Sequence, residues 1–257
     1  RDMAMLAKQV AEKGGCPLSE IRAVGIGCPG TVDNASGTVV YSNNIVMDHV
    51  PLAEEFRKHL DLPVNLENDA NAAAYGEYIT TARDKDSFVF MTLGTGVGGG
   101  IILGGRIWRG FNGAGAEIGH ASIIKDGIRC TCGKRGCLES YASVTALIRQ
   151  TREEMDACPD SMMHRWAESH GKVSGRTAFD GLRAGDEAAK AVVKQYAEYV
   201  ASGLLGIINI FQPEMICFGG GICNEGETLL APIREHVARE RYSKKQEIQT
   251  EICRATL

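Results

Sequence analysis

The 257-residue chain is short of several things, and each shortage narrows what it can be. No apolar run reaches about 18 residues, which excludes a conventional transmembrane helix. Residues 1–10 lack the long apolar stretch of a secretory signal. Positive charge is not in excess: 28 Lys and Arg against 32 Asp and Glu leave a net charge of −4, which argues against a nucleic-acid surface. Proline is scarce at 7 residues and aromatics make up only 6%, while glycine reaches 31, a balance that points to many tight turns and not to disorder. Low-complexity tracts and short solenoid-type repeats are missing as well.

What is present is an ordinary globular composition, 44% hydrophobic and 23% charged. A chain of this size buries roughly 70–75% of its unfolded surface, enough for one large domain or two modest ones. Nine cysteines is an odd number in a chain that is neither short nor visibly secreted. A reduced, cytoplasmic setting is expected, and any cysteine cluster is read first as a metal site.

Hydrophobic periodicity divides the chain in two. Met5, Leu6 and Val10 fall at helical spacing before Gly14-Gly15. Residues 21–26 read as a buried strand ending at Gly27-Cys28-Pro29-Gly30, and 38–42 as another. Pro51 opens a helix to about residue 60, 63–66 form a strand, and 69–80 an alanine-rich helix. This alternation predicts an α/β layer on a largely parallel sheet. The charged run Arg83-Asp84-Lys85-Asp86 then separates a small α/β lobe, 1–82, from a larger one, 83–257. In the second lobe 88–93 and 100–108 read as strands around a glycine-dense turn, and 110–137 as loop. Helices follow over about 140–154, 162–170, 177–184 and 186–211, then a strand at 214–218 and a helix at 226–241. Residues 247–252 read as a last strand with nothing after it, for which a missing helix is the simplest account.

The sharpest chemical signal is His120, Cys130, Cys132 and Cys137 in G-H-x₉-C-x-C-G-x₂-G-C. Three thiolates and an imidazole match a closed tetrahedral zinc site, which is structural because no coordination position stays open. The alternative is three free cysteines in a polar loop that offers them no apolar core. A second signal is Gly94-Thr95-Gly96-Val97-Gly98-Gly99-Gly100. It satisfies G-x-G-x-x-G formally, but the sequence continues as a β-hairpin and not as the helix a dinucleotide site needs. A turn of bare N–H groups with Thr95 still suits a phosphate; a hairpin turn without ligand is the alternative. A third is Glu67-Asn68-Asp69-Ala70-Asn71 at a strand-to-helix junction. Asn68 or Asp69 can be a helix N-cap, or a carboxylate there can take a proton from a hydroxyl nucleophile. Glu117 and Glu139 flank the cysteine loop, as ligand-contacting carboxylates or as braces. Gly219-Gly220-Gly221 follows a strand and permits close approach of a ring or phosphate.

Together with Gly27-Cys28-Pro29-Gly30-Thr31-Val32-Asp33, these segments in this order resemble the ROK family of sugar kinases and sugar-responsive repressors, over essentially the whole chain. The resemblance implies a two-lobed actin-like ATPase (ribonuclease H-like) α/β fold with a zinc loop at 117–139. It implies ATP-dependent transfer to the 6-hydroxyl of glucose, with N-acetylmannosamine, fructose or allose as alternative sugars. A sugar-sensing repressor without its DNA-binding part is a further alternative. Asp69 is implied as the base, and Asn68, Asp69, Glu117, His120 and Glu139, with Gly30 and Asn44, as sugar contacts. Gly94, Thr95 and Gly96 are implied near the ATP phosphates, and Gly219, Gly220 and Gly221 near the nucleoside. The implied cofactors are ATP, Mg²⁺ and a structural Zn²⁺ on His120, Cys130, Cys132 and Cys137. The implied partners are a sugar and ATP, with no nucleic acid and no membrane, in a homo-oligomer. The family's opening strand with D-x-G-G-T has no counterpart here, so the chain reads as lacking its first strands and a C-terminal segment.

Overall fold

The computed structural model describes residues 1–42 and 45–257. In the first part, β1 (Val24–Cys28) pairs in parallel with β5 (Val64–Asn68), placing Cys28 opposite Asn68. The helices α1 (Asp2–Lys13) and α2 (Leu52–Arg57) cover this pair through Ala4, Phe56 and Leu60. A separate antiparallel sheet runs β2 (Thr31–Asp33), β3 (Thr38–Ser42), β4 (Met47–Val50). The expected largely parallel layer is therefore corrected to one parallel pair plus a meander. The reason is connection length: four residues, 34–37, join β2 to β3 and can only return the chain antiparallel, whereas β1 and β5 have a long crossover between them. Cys28, Val32, Val39 and Leu66 form the small core between the two sheets.

The larger sheet has the order β10-β9-β6-β7-β8. Its centre is β6 (Ser87–Leu93), antiparallel to β7 (Val97–Leu103) and parallel to β9 (Met215–Gly219). The single strand expected at 100–108 is broken at Gly104 and Gly105, both at positive φ, and β8 (Arg106–Ile107) folds back on β7. The final strand, β10 (Glu251–Arg254), starts four residues later than expected. Gln249 ties its side chain back to the carbonyls of Ser243 and Gln246 and holds the preceding segment as a turn.

On one face of this sheet lies α8 (Glu187–Phe211), flanked by α5 (Val144–Ala157), α6 (Met163–Ser169), α7 (Thr177–Arg183) and α9 (Glu227–Glu240). Asp186 caps α8, accepting from the N–H groups of Ala188 and Ala189 at 2.9 and 3.3 Å. Its buried stripe, including Val193, Ala197, Val200, Leu204 and Ile208, recurs at three- and four-residue steps and packs with Met91, Leu93, Ile216 and Phe218. The helix expected over 140–154 is two: α4 (Glu139–Ala142), then α5, whose cap Ser143 accepts from Ala146 N–H at 3.0 Å. The other face is covered by α3 (Asp69–Thr81), which sets Ala74, Tyr78 and Ala82 against Phe88, Phe90 and Ile102. Gly100 allows this approach, since a Cβ there would lie 2.5 Å from that of Ala74.

Candidate active site

The strand-to-helix junction separates the two roles that composition alone left open. Asn68 is the N-cap: its Oδ1 accepts from Asn71 N–H at 3.0 Å, and its Nδ2 donates to Gly30 O at 3.1 Å. Asp69 opens α3 with an exposed carboxylate that bonds only its neighbour, Ala70 N–H, at 2.9 Å among the described residues. Both side chains face a cavity of about 490 Å³, which Gly30, Glu117, His120 and Glu139 also line. Six of the expected sugar contacts thus meet in one place. The seventh, Asn44, lies outside the described residues. Burial pushes the Glu117 carboxyl above its ordinary range; His120 opposes this, and the Asp69 and Glu139 carboxylates add to it.

One wall of the cavity is the polar loop after β8. It has no regular element before α4 except the 3₁₀ turn Ile118–His120, and a mesh of backbone bonds holds it, such as Cys130 N–H to Lys134 O and Gly136 N–H to Ile128 O, both 2.8 Å. Candidate ligand atoms of His120, Cys130, Cys132 and Cys137 lie within 4.8 Å of one another. A tetrahedral zinc ion with bonds of about 2.3 Å to sulfur and about 2.0–2.1 Å to nitrogen separates two sulfurs by roughly 3.8 Å, and sulfur from nitrogen by roughly 3.5 Å. The structure has 3.7 Å between the sulfurs of Cys132 and Cys137, and 3.6 Å between Cys130 Sγ and His120 Nδ1. The donor set fits. With Nδ1 turned to the sulfurs, the Nε2 edge of His120 is left for the cavity. Burial holds the metal-free Cys137 thiol above its ordinary range, so a cation bound there displaces a proton.

Glu139 joins this loop to the glycine turn. One carboxylate oxygen accepts Val97 N–H at 3.1 Å; the other is 3.4 Å from Thr131 Oγ1. A Cβ on Gly96 would overlap this carboxylate and push it from its place. A groove of about 460 Å³ runs from Asp69, Ala70 and Glu139 along Gly94, Thr95 and Gly96. It shares Gly94 and Thr95 with a third cavity of about 930 Å³, walled by Val144, Ile148, Arg176, Asp180, Asn224 and Glu225. Of the three C-terminal glycines only Gly221 lines that cavity. Gly219 and Gly220 instead lie against Phe90 and the Leu93 carbonyl, where Cβ atoms would overlap. The polar walls Arg176, Asp180 and Asn224 escaped sequence reasoning. Asn224 stands three residues past Gly221 and was within reach of that motif; Arg176 and Asp180 carry no local signal.

Sequence reasoning named Glu67 only as the start of the junction motif, gave it no role, and missed Arg109. The Glu67 carboxylate accepts from Arg109 Nε at 2.9 Å and from the Arg109 NH2 group, and Asn71 Nδ2 reaches it at 3.4 Å.

Comparison with known proteins agrees with this architecture. The ROK family matches residues 4–257, and the chain belongs to that family. A glucokinase of Thermotoga maritima is 42% identical over 216 residues, which cover 83% of this chain and 68% of that protein. The crystal structure of a ROK family glucokinase from Streptomyces griseus, in complex with glucose and AMPPNP, is 36% identical. It superposes with a TM-score of 0.84 over 98% of this chain and 81% of that one. A ROK transcriptional regulator homologous to the E. coli MLC protein is 26% identical, with a TM-score of 0.86 over 100% of this chain and 64% of its own. The fold is accordingly the α/β actin-like ATPase fold of the ROK glucokinases.

Proposed function

We propose that the chain is an ATP-dependent glucokinase that phosphorylates the 6-hydroxyl of glucose, with Asp69 as the general base. One observation carries the assignment of the base: Asp69 lines both the sugar-side cavity and the groove leading to the Gly94–Gly96 turn. It therefore stands where an acceptor hydroxyl and a terminal phosphoryl group meet. The glucose and AMPPNP held by the S. griseus relative, and the name of the T. maritima one, support this pair of substrates.

In this reading Asn68, Glu117, His120 and Glu139, with the Gly30 turn, hold the sugar ring. The γ-phosphoryl passes in line to the hydroxyl through a loose transition state, so positioning and charge compensation dominate the chemistry. Asp69 takes the hydroxyl proton, a contribution on the order of 10²–10⁴ in rate. Gly94, Thr95 and Gly96 present bare N–H groups to the phosphates, and the 930 Å³ cavity beside Gly221 takes the nucleoside. Mg²⁺ bound with the nucleotide would neutralise its phosphate oxygens. His120, Cys130, Cys132 and Cys137 would hold zinc, which would fix the loop so that Glu117, His120 and Glu139 meet the sugar already placed.

The two units 1–82 and 83–257 are proposed as the lobes that flank the cleft. Among the described residues no helix is long and apolar enough to cross a membrane, and the cysteines are free thiols, which supports a cytoplasmic setting. A homo-oligomer completes the reading.

The test is ADP release with Mg-ATP and a panel of hexoses. Glucose-dependent ADP is expected from the wild type, and Asp69→Asn is expected to lose on the order of 10²–10⁴ in kcat while KM for glucose changes little. Undiminished turnover in that variant overturns the role of Asp69. A sugar-responsive DNA shift with no ADP would instead favour the repressor reading, to which the likeness with the ROK regulator gives some weight.

A further inference from the structure

We propose that Glu67 and Arg109 are positioning residues of the sugar site: their ion pair sets the span between Asp69 and Glu117. The inference rests on the kinase reading and deepens it.

Glu67 is the penultimate residue of β5, directly before Asn68 and Asp69, and its side chain is 17% exposed. Both carboxylate oxygens are filled. One accepts Arg109 Nε at 2.9 Å, the Arg109 NH2 group, and Asn34 Nδ2 at 3.2 Å. The other accepts Asn68 N–H at 3.1 Å and Asn71 Nδ2 at 3.4 Å. The turn after β2, the end of β5, the first turn of α3 and the loop after β8 therefore converge on one carboxylate. Every group facing it is a donor, so an amide in its place turns at least one N–H against another N–H.

Arg109 carries the other end of the span. Its carbonyl accepts Gly115 N–H at 2.8 Å, closing the short loop 109–115. A Cβ on Gly115 would lie 2.8 Å from the Arg109 backbone, so the two strands of this loop are in direct contact. Gly115, Ala116 and Glu117 then line the sugar cavity opposite Asp69. A shift of Arg109 is thus carried straight into the position of Glu117, while Glu67 fixes the residues beside the base. Among the described residues this is the only ion pair joining residues before the 83–86 run to residues after it. Because Glu67 is mostly buried, the pair is poorly screened, and removing one partner leaves the other charge uncompensated.

The experiment compares kcat, KM for glucose and KM for ATP in the wild type, Glu67→Gln, Arg109→Gln, Arg109→Lys and the double variant Glu67→Gln/Arg109→Gln. Metal content and Tm are measured on each. Misplacement on the ångström scale predicts a loss on the order of 10²-fold in kcat/KM for glucose in each Gln variant, with KM for ATP within about twofold. Arg109→Lys keeps the charge and is expected to regain about tenfold. The double variant is expected to be no worse than the poorer single, as for two residues acting as one unit. Folded single variants with wild-type kcat/KM for glucose, or a double variant that multiplies the two losses, overturn the proposal. Should Glu67→Gln not fold, the two Arg109 variants decide alone. A wild type that releases no ADP with any hexose fails the kinase reading itself, and the proposal falls with it.

Discussion

The loop after β8 and the helix α8 meet at both ends of the loop, at Trp108 with Phe211 and at Leu138 with Gly203, yet opposite means hold them. α8 is ordered by apolar burial: eleven of its residues are buried, and they face a sheet whose central strands present Met91, Leu93, Ile216 and Phe218. The loop has almost nothing to bury. It depends on backbone hydrogen bonds, on four candidate metal ligands and on Leu138, which closes it and rests against Gly203 of α8. Tyr196 strengthens the same joint by donating its hydroxyl to the Ala142 carbonyl at 2.8 Å. A core held by area tolerates local loss in proportion to the area lost. A loop whose few other ties are joined by one ion, as proposed for His120 and the three cysteines, is expected to lose its order all at once.

That difference can be broken from either side. The largest effect is expected from the metal. Removing zinc with a strong chelator, or replacing Cys137 with Ser, is expected to abolish glucose-dependent ADP release, by more than about 100-fold, while far-UV circular dichroism keeps most of its helical signal. One equivalent of zinc by elemental analysis should accompany activity. Affinity for the metal should weaken as pH falls, because the thiols must lose protons to bind it. Helical signal lost in parallel with zinc would show that loop and core are one cooperative unit.

The next effect is in the core. Leu204→Ala removes a fully buried side chain and is expected to cost about 2–5 kcal/mol, read as a lower Tm or urea midpoint, with zinc content and low-temperature kcat unchanged. A smaller effect belongs to the cap of α8. Asp186→Ala is expected to cost about 1–2 kcal/mol at neutral pH. Burial works against ionisation of Asp186, but the Ser161 hydroxyl, at 2.6 Å, and the N–H groups of Ala189 and Ala188 outweigh it and hold the carboxyl below its ordinary range. A carboxyl lowered in the folded state adds stability above its unfolded pKa of about 3.9, and that stability fades as pH falls through the folded value. The stability gap between wild type and Asp186→Ala should therefore close in acid, measured by thermal melts from pH 7 down to about pH 3. A gap that widens in acid would reverse the sign of this account.

Legibility from sequence followed the same division. The cysteine loop, the glycine turn and the Asn68-Asp69 junction were readable because their residues lie close in sequence and their spacing is itself the geometry. α8 was readable because its buried stripe persists from Ala189 to Ile208, more than five turns. β2 and β4 escaped notice because three or four residues hold no usable period. The break between α4 and α5 escaped because Ser143 is tolerated inside a helix and acts as a cap only once Ala146 N–H reaches it. The pairing of Glu67 with Arg109 was invisible for a different reason. They are 42 residues apart and belong to no shared motif, so only the fold gives them a common address.

By itself the sequence determined the class of fold, the candidate ligand set of the cysteine loop and the short segments that gather around Asp69. Each of these is encoded locally, in periodicity, turn residues or ligand spacing. Only the tertiary structure decided that Asn68 caps the helix while Asp69 stays free for the cavity. It also decided that Glu139 grips the glycine turn as well as lining the 490 Å³ cavity beside Asp69, that Gly221 alone of its triplet lines the 930 Å³ cavity, and that one carboxylate, Glu67, ties four segments together. Those outcomes depend on which donor reaches which acceptor across space, and such meetings come into being only when distant segments are packed against one another.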